Sequence, residues 1–148
     1  MFKNIVVGID GSEPSISALR HACDIAQKYD SEIHLVHTPH PKTVAFALGA
    51  ATGYHVATTM PSATEVNEAC EEVLKNARAV AQEYGKKITK TYTERGETVD
   101  CIIACAEQCG ADLIVTGRRG LGNVSSVVLG STTQKVNHMA KCACLSVA

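Results

Sequence analysis

Two short runs limit what this chain can become. Ile5, Val6, Val7 and Ile9 form a nearly unbroken apolar stretch near the start, and Leu113, Ile114 and Val115 form another, bounded by Asp112 and Thr116. Neither alternates with polar residues, so neither suits a strand with one wet face. Both suit central strands of a parallel sheet covered on both sides. Segments of helical periodicity separate the apolar runs. Ile16, Leu19, Cys23 and Ala26 mark a helix from about residue 13 to 29, with Pro14 in its first turn. Val66, Cys70, Val73, Ala77, Val80 and Tyr84 mark a second helix, which starts at Ser62 or Thr64 and stops at Gly85. Thr64 with Asn67 offers a cap for it. Val99, Ile102, Ile103 and Ala106 define a third, closed by Gly110, and Val136, Met139 and Ala140 a fourth.

Three further strands complete the alternation. Ile33, Leu35 and Val36 form one that ends near His37; Glu32 and His34 dilute its apolar character and predict a less deeply buried strand than the first. Lys87 to Arg95 alternates without a consistently apolar face and reads as a charged edge strand. Cys144, Leu145 and Val147 form the last. Five strands alternating with four helices predict a doubly wound α/β fold, a Rossmann-like parallel sheet in the order 3-2-1-4-5, as one domain over residues 1–148. That order sets strands 1 and 4 side by side and creates a topological switch point where ligands bind.

Candidate functional residues converge there. Gly8, Ile9, Asp10 and Ser12 follow the first strand, and Thr116, Gly117, Arg118, Arg119 and Gly120 follow the fourth. Gly130, Ser131, Thr132 and Thr133 open the last helix. Glycines let backbone N–H groups approach an anion, a helix start offers unpaired donors and a positive dipole end, and hydroxyls and arginines add donors and charge. The same features also occur as plain turns and caps. Asp10 has two readings of this kind: an acceptor for ribose hydroxyls, or an Asx turn at the head of the helix.

The spacing Gly117-x2-Gly120-x9-Gly130-Ser131 resembles the nucleotide-binding signature of the universal stress protein family. MFKNIVVGIDGSEPS is similar to that family's first strand and turn, and KCACLSVA falls where its last strand lies, so the likeness covers essentially the whole chain. The resemblance implies an adenine nucleotide alpha hydrolase-like fold and the ATP-binding branch of the family. It implies ATP with Mg²⁺ held by the phosphates, a ribose contact from Asp10, and adenine against backbone atoms near Val36 and His37. It also implies a stress or signalling role and a homodimer, often formed through the last strand, here Ala143–Ala148.

Other ligand classes are excluded or disfavoured. No Gly-Lys-Ser/Thr of a P-loop occurs, since Gly85-Lys86 is followed by Lys87. The first strand–helix turn has only Gly8 and Gly11, short of a dinucleotide fingerprint. A net charge of −1 provides no general attraction to nucleic acid or anionic membrane. With no signal segment and no run of about 18 apolar residues, a cytoplasmic location is expected. The seven cysteines lack zinc-knuckle spacing and read as buried thiols, although Cys101, Cys105 and Cys109 on one helical stripe leave a thiol or metal sensor as a weaker alternative. His37-Thr38-Pro39-His40 reads as a polar strand exit into the long segment 39–62, with no further metal ligand evident. Within it, Val44 to Leu48 suits a short helix or a partner-binding patch. No group beyond Asp10 is placed for phosphoryl transfer, so a binding protein is expected before a slow Mg-dependent ATPase or phosphotransferase.

Overall fold

A computed structural model describes residues 1–40, 44, 61–119 and 130–148. The elements are β1 (Asn4–Gly8), α1 (Glu13–Tyr29), β2 (Glu32–His37), α2 (Ala63–Glu83), β3 (Ile88–Thr93), α3 (Thr98–Cys109), β4 (Leu113–Gly117), α4 (Ser131–Met139) and β5 (Ala143–Val147). The five strands form one parallel sheet in the order β3-β2-β1-β4-β5, as expected. Val6 sits between His34 of β2 and Ile114 of β4, so β1 is the central strand.

The apolar runs divide their side chains between two cores, which is why they do not alternate with polar residues. Ile5 and Val7 meet Leu19 of α1 and Val73, Ala77 and Val80 of α2 on one face. Val6, Val36 and Ile114 meet Ile102 of α3 and Val136 of α4 on the other. Ile5, Val6 and Val7 are completely buried. Burying one such side chain favours folding by about 1.5–3 kcal/mol. The helix stops follow from backbone geometry: α1 and α3 end on left-handed residues, Asp30 at φ 53° and Gly110 at φ 61°.

Two sequence expectations change. The cap of α2 is Ser62, not Thr64: the Ser62 hydroxyl accepts the Glu65 N–H at 3.2 Å, and the Glu65 carboxylate accepts the Ser62 N–H at 2.7 Å. That reciprocal box needs a carboxylate three residues after the cap, which Ser62 has and Thr64 lacks.

Strand β2 is also as deeply buried as β1. His34 is 6% exposed and His37 fully enclosed. Position decides this, because β2 lies inside the sheet between β1 and β3. The His37 Nδ1–H donates to the Ile9 carbonyl at 2.8 Å, whereas both His34 ring nitrogens and His37 Nε2 have no hydrogen-bond partner among the described residues. In the segment 39–62, Val44 is buried and its N–H donates to the His40 carbonyl at 3.1 Å. The rest of the Val44–Leu48 patch lies outside the described residues. Among those residues no helix is long and apolar enough to cross a membrane.

The buried histidines make stability depend on pH. Desolvation lowers both pKa values below the usual 6.5, against the raising influence of Glu32 on His34 and of the Ile9 hydrogen bond on His37. The unfolded chain therefore takes up protons first. This contribution is present above about pH 6.5 and is lost as pH falls below it. Asp112, held low by the N–H groups of Lys3 and Asn4, acts only in a window below its usual 3.8. The urea midpoint should fall between pH 7.5 and 5.5, and a His34→Phe/His37→Asn double variant should flatten that slope. An equal slope in both proteins would contradict the assignment.

Candidate functional site

Four chain segments meet at the carboxyl ends of β1, β2 and β4. The Ile9 N–H donates to the Val36 carbonyl at 2.9 Å, and His37 returns a bond to the Ile9 carbonyl, which ties the ends of β1 and β2 together. The Val36 carbonyl is thus occupied by the sheet. Thr116 is buried at the end of β4, and Gly117 follows it.

Gly117 is where β4 meets α1. A Cβ there would lie 2.8 Å from the Pro14 carbonyl carbon and 2.9 Å from Ser15 N, both rigid backbone atoms. The glycine is therefore required for the first turn of α1 to pack on the strand end, whatever it does for a ligand. The Thr133 hydroxyl donates to the Gly117 carbonyl at 2.9 Å and is buried, which draws the start of α4 to the same point. The Gly130 N–H donates to the Arg118 carbonyl at 3.0 Å, and a Cβ on Gly130 would approach that oxygen to 3.3 Å. Gly130 closes the loop tightly; Gly120 lies outside the described residues.

Of its two readings, Asp10 takes up the Asx turn with one carboxylate oxygen. Oδ1 accepts from the Ser12 N–H at 2.9 Å and from the Ser12 hydroxyl at 2.5 Å, forming an Asx turn. Ser12 in turn caps α1 by accepting the Ser15 N–H. Oδ2 has no hydrogen bond among the described residues, and Asp10 is half-buried. One oxygen holds the turn and the other is available.

The start of α4 is equipped differently from that of α1 or α2. Its N-cap is Gly130, with no side-chain cap bond and no acidic residue in the first turn. Among the described residues, its first-turn N–H groups therefore have neither a side-chain cap nor an acidic side chain of their own turn to neutralise them. Ser131 is exposed and Thr132 half-buried. Arg118 is half-buried and Arg119 exposed, both at the β4 exit. An anion brought here meets backbone donors, a hydroxyl and nearby positive charge.

One residue at this end escaped the sequence reading. Thr38 is 5% exposed and its hydroxyl has no partner among the described residues, immediately beyond β2. Its position at the carboxyl end of an interior strand was the available signal.

Cys23, Cys70 and Cys105 are buried as read, whereas Cys101, Cys109, Cys142 and Cys144 are only half-buried. Burial pushes the thiols of Cys23 and Cys105 up to about 11 and about 12, and raises those of Cys70, Cys109, Cys142 and Cys144. Such thiols are weak nucleophiles at neutral pH. Among the described residues no three His, Cys, Asp or Glu side chains are grouped to hold a metal ion.

Comparison with known proteins supplies the wider context. A universal stress protein of Methanocaldococcus jannaschii is 31% identical over 147 residues, covering 99% of this chain and 82% of the relative. A solved universal stress protein in complex with cAMP has the same fold, with a TM-score of 0.72, 24% identity and coverage of 99% of this chain and 97% of the other. The universal stress protein of Archaeoglobus fulgidus in complex with dAMP superposes with a TM-score of 0.69 at 20% identity, covering 99% and 98% of the two chains. The model of the universal stress protein family matches residues 1–148, and the chain belongs to that family.

Proposed function

We propose that this chain binds ATP, with Mg²⁺ carried on the phosphates, in the crevice between the ends of β1 and β4, and that nucleotide occupancy is its signal in a stress response. The observation that carries the proposal is the pairing of an uncapped helix start with a half-used carboxylate at one topological switch point. In this reading the first-turn N–H groups of α4, with Ser131, Thr132 and Arg118, take the phosphates. Asp10 Oδ2 accepts from the ribose, and the backbone beyond Val36, at His37 and Thr38, meets the adenine. Family relatives in complex with cAMP and dAMP support an adenine nucleotide as the ligand class. Thr133 and Gly117 position the phosphate site through their own hydrogen bond.

Asp10 is the one carboxylate this reading assigns to the nucleotide, and it already holds Ser12, while the enclosed His37 is committed through Nδ1 to the Ile9 carbonyl. Binding with at most slow hydrolysis follows from that arrangement. The protein acts as a homodimer in this reading, paired through β5, the sheet edge nearest the β4 exit. Sedimentation of the purified chain should return twice the monomer mass, and a monomer at micromolar concentration would remove the dimer.

Calorimetric titration of MgATP into nucleotide-stripped protein tests the site. Wild type should bind saturably, and Gly130→Val should weaken binding tenfold or more, because the added methyls crowd the Arg118 carbonyl. Asp10→Asn retains an acceptor for Ser12 but loses the charged ribose acceptor, with an expected loss of about 10- to 100-fold. Gly117→Ala separates packing from binding: it should cost about 1–3 kcal/mol of stability, since the backbone of α1 cannot yield. Absence of binding in folded wild type would overturn the proposal.

A further inference from the structure

Far from the crevice, at the amino-terminal end of β3, the surface carries a cleft of about 820 Å³ between the end of α2 and the strand. Its wall includes Arg78, Gln82, Lys86, Lys87, Thr89 and Lys90, and no Asp or Glu lines it. Four of the chain's 14 basic residues thus border one cleft, in a protein whose net charge is −1. The cations are only lightly engaged. Arg78 reaches Glu71 at 3.9 Å and Lys86 reaches Asp30 at 3.6 Å, with both carboxylates exposed. Pairs whose carboxylate stands in solvent are weak and leave most of the local positive charge in place. The Lys90 ammonium lies 4.5 Å from the Tyr92 ring centre, and Lys87 is exposed.

The same cleft borders an open sheet edge. Among the described residues β3 pairs with β2 alone, and Thr89, Lys90 and Thr93 are exposed. The register shifts between Ile33 and His34, which pair with Ile88 and Lys90, so Thr89 is the extra residue of a bulge. Lysines on an edge usually block pairing between identical chains, because an antiparallel pair of these edges would set like charges opposite each other. That repulsion is selective. A strand with carboxylates at alternate positions meets the same lysines with attraction while its backbone satisfies the open edge.

We propose that the β3 edge and its basic cleft form a docking site for an extended acidic peptide segment of another protein, added as a sixth strand beside β3. Its alternate carboxylates lie over Lys87 and Lys90, and its main chain pairs with the strand. The cleft is at the amino-terminal end of β3, and β2 separates the β3 edge from β1 and β4, so both sites can be filled together.

The test uses the full-length chain and a fluorescent nine-residue peptide alternating Glu and Val, read by anisotropy. Saturable binding is expected, weakening with salt and falling tenfold or more in Lys87→Glu/Lys90→Glu, whose thermal unfolding and MgATP titration should match wild type. A version N-methylated along one peptide edge should bind at least tenfold more weakly, and β3 amides should gain exchange protection with the unmodified peptide. Inorganic polyphosphate binding in place of the peptide would overturn the proposal in favour of a simple anion site. No binding, binding unchanged by charge reversal, or full binding of the N-methylated peptide would overturn it as well.

Discussion

The parallel pairing of β1 with β4 is the constraint on which the site depends. From β1 the chain builds one half of the sheet through β2 and β3, then returns to lay β4 on the other side of β1. The connections leaving β1 and β4 therefore run to opposite faces, α1 to one and α4 to the other. Between them, at the carboxyl ends, lies the switch point at which open parallel sheets place their ligands. Asp10 and Gly117 are far apart in sequence, and that one pairing brings both against Ser15 of α1.

The packing that closes the crevice and the groups that line it are partly the same residues. Gly117 admits the first turn of α1 against β4, and its carbonyl receives the Thr133 hydroxyl that holds α4. Asp10 spends one oxygen on the turn that Ser12 uses to cap α1. His37 is enclosed so that its Nδ1–H can bind the Ile9 carbonyl at the β1 exit. A substitution at any of these positions acts on fold and site together, which is why conservative changes that retain one hydrogen bond are the informative ones. The basic cleft at β3 shares none of these residues.

Much of this was legible in the sequence, and the exceptions have physical causes. The apolar runs Ile5–Ile9 and Leu113–Val115 announced two central strands because a side chain buried on either face must be apolar. Strand order and the convergence of Asp10 with Gly117 followed from the alternation of elements. The burial of β2 was not legible, because His34 and His37 are polar residues whose enclosure is decided by neighbours in space. The α2 cap was misplaced by two residues, since Ser62 and Thr64 are chemically equivalent until the partner three residues later is considered. The reading of Gly117 and Gly130 as routes for anion approach was incomplete. Gly117 is pressed against the α1 backbone and Gly130 against Arg118, contacts that no local pattern records. Residues 120–129 of the glycine signature, Gly120 among them, lie outside the described residues.

Backbone amide shifts of the labelled protein, compared between adenosine and MgATP, test the central claim most directly. If the crevice is a nucleotide site with its phosphate end at α4, adenosine shifts the amides near Asp10 and His37. MgATP shifts these and adds large changes at Ser131 and Thr132. Phosphate-dependent shifts confined to other surfaces, such as Lys86–Thr91, with Ser131 and Thr132 unmoved, would contradict the account.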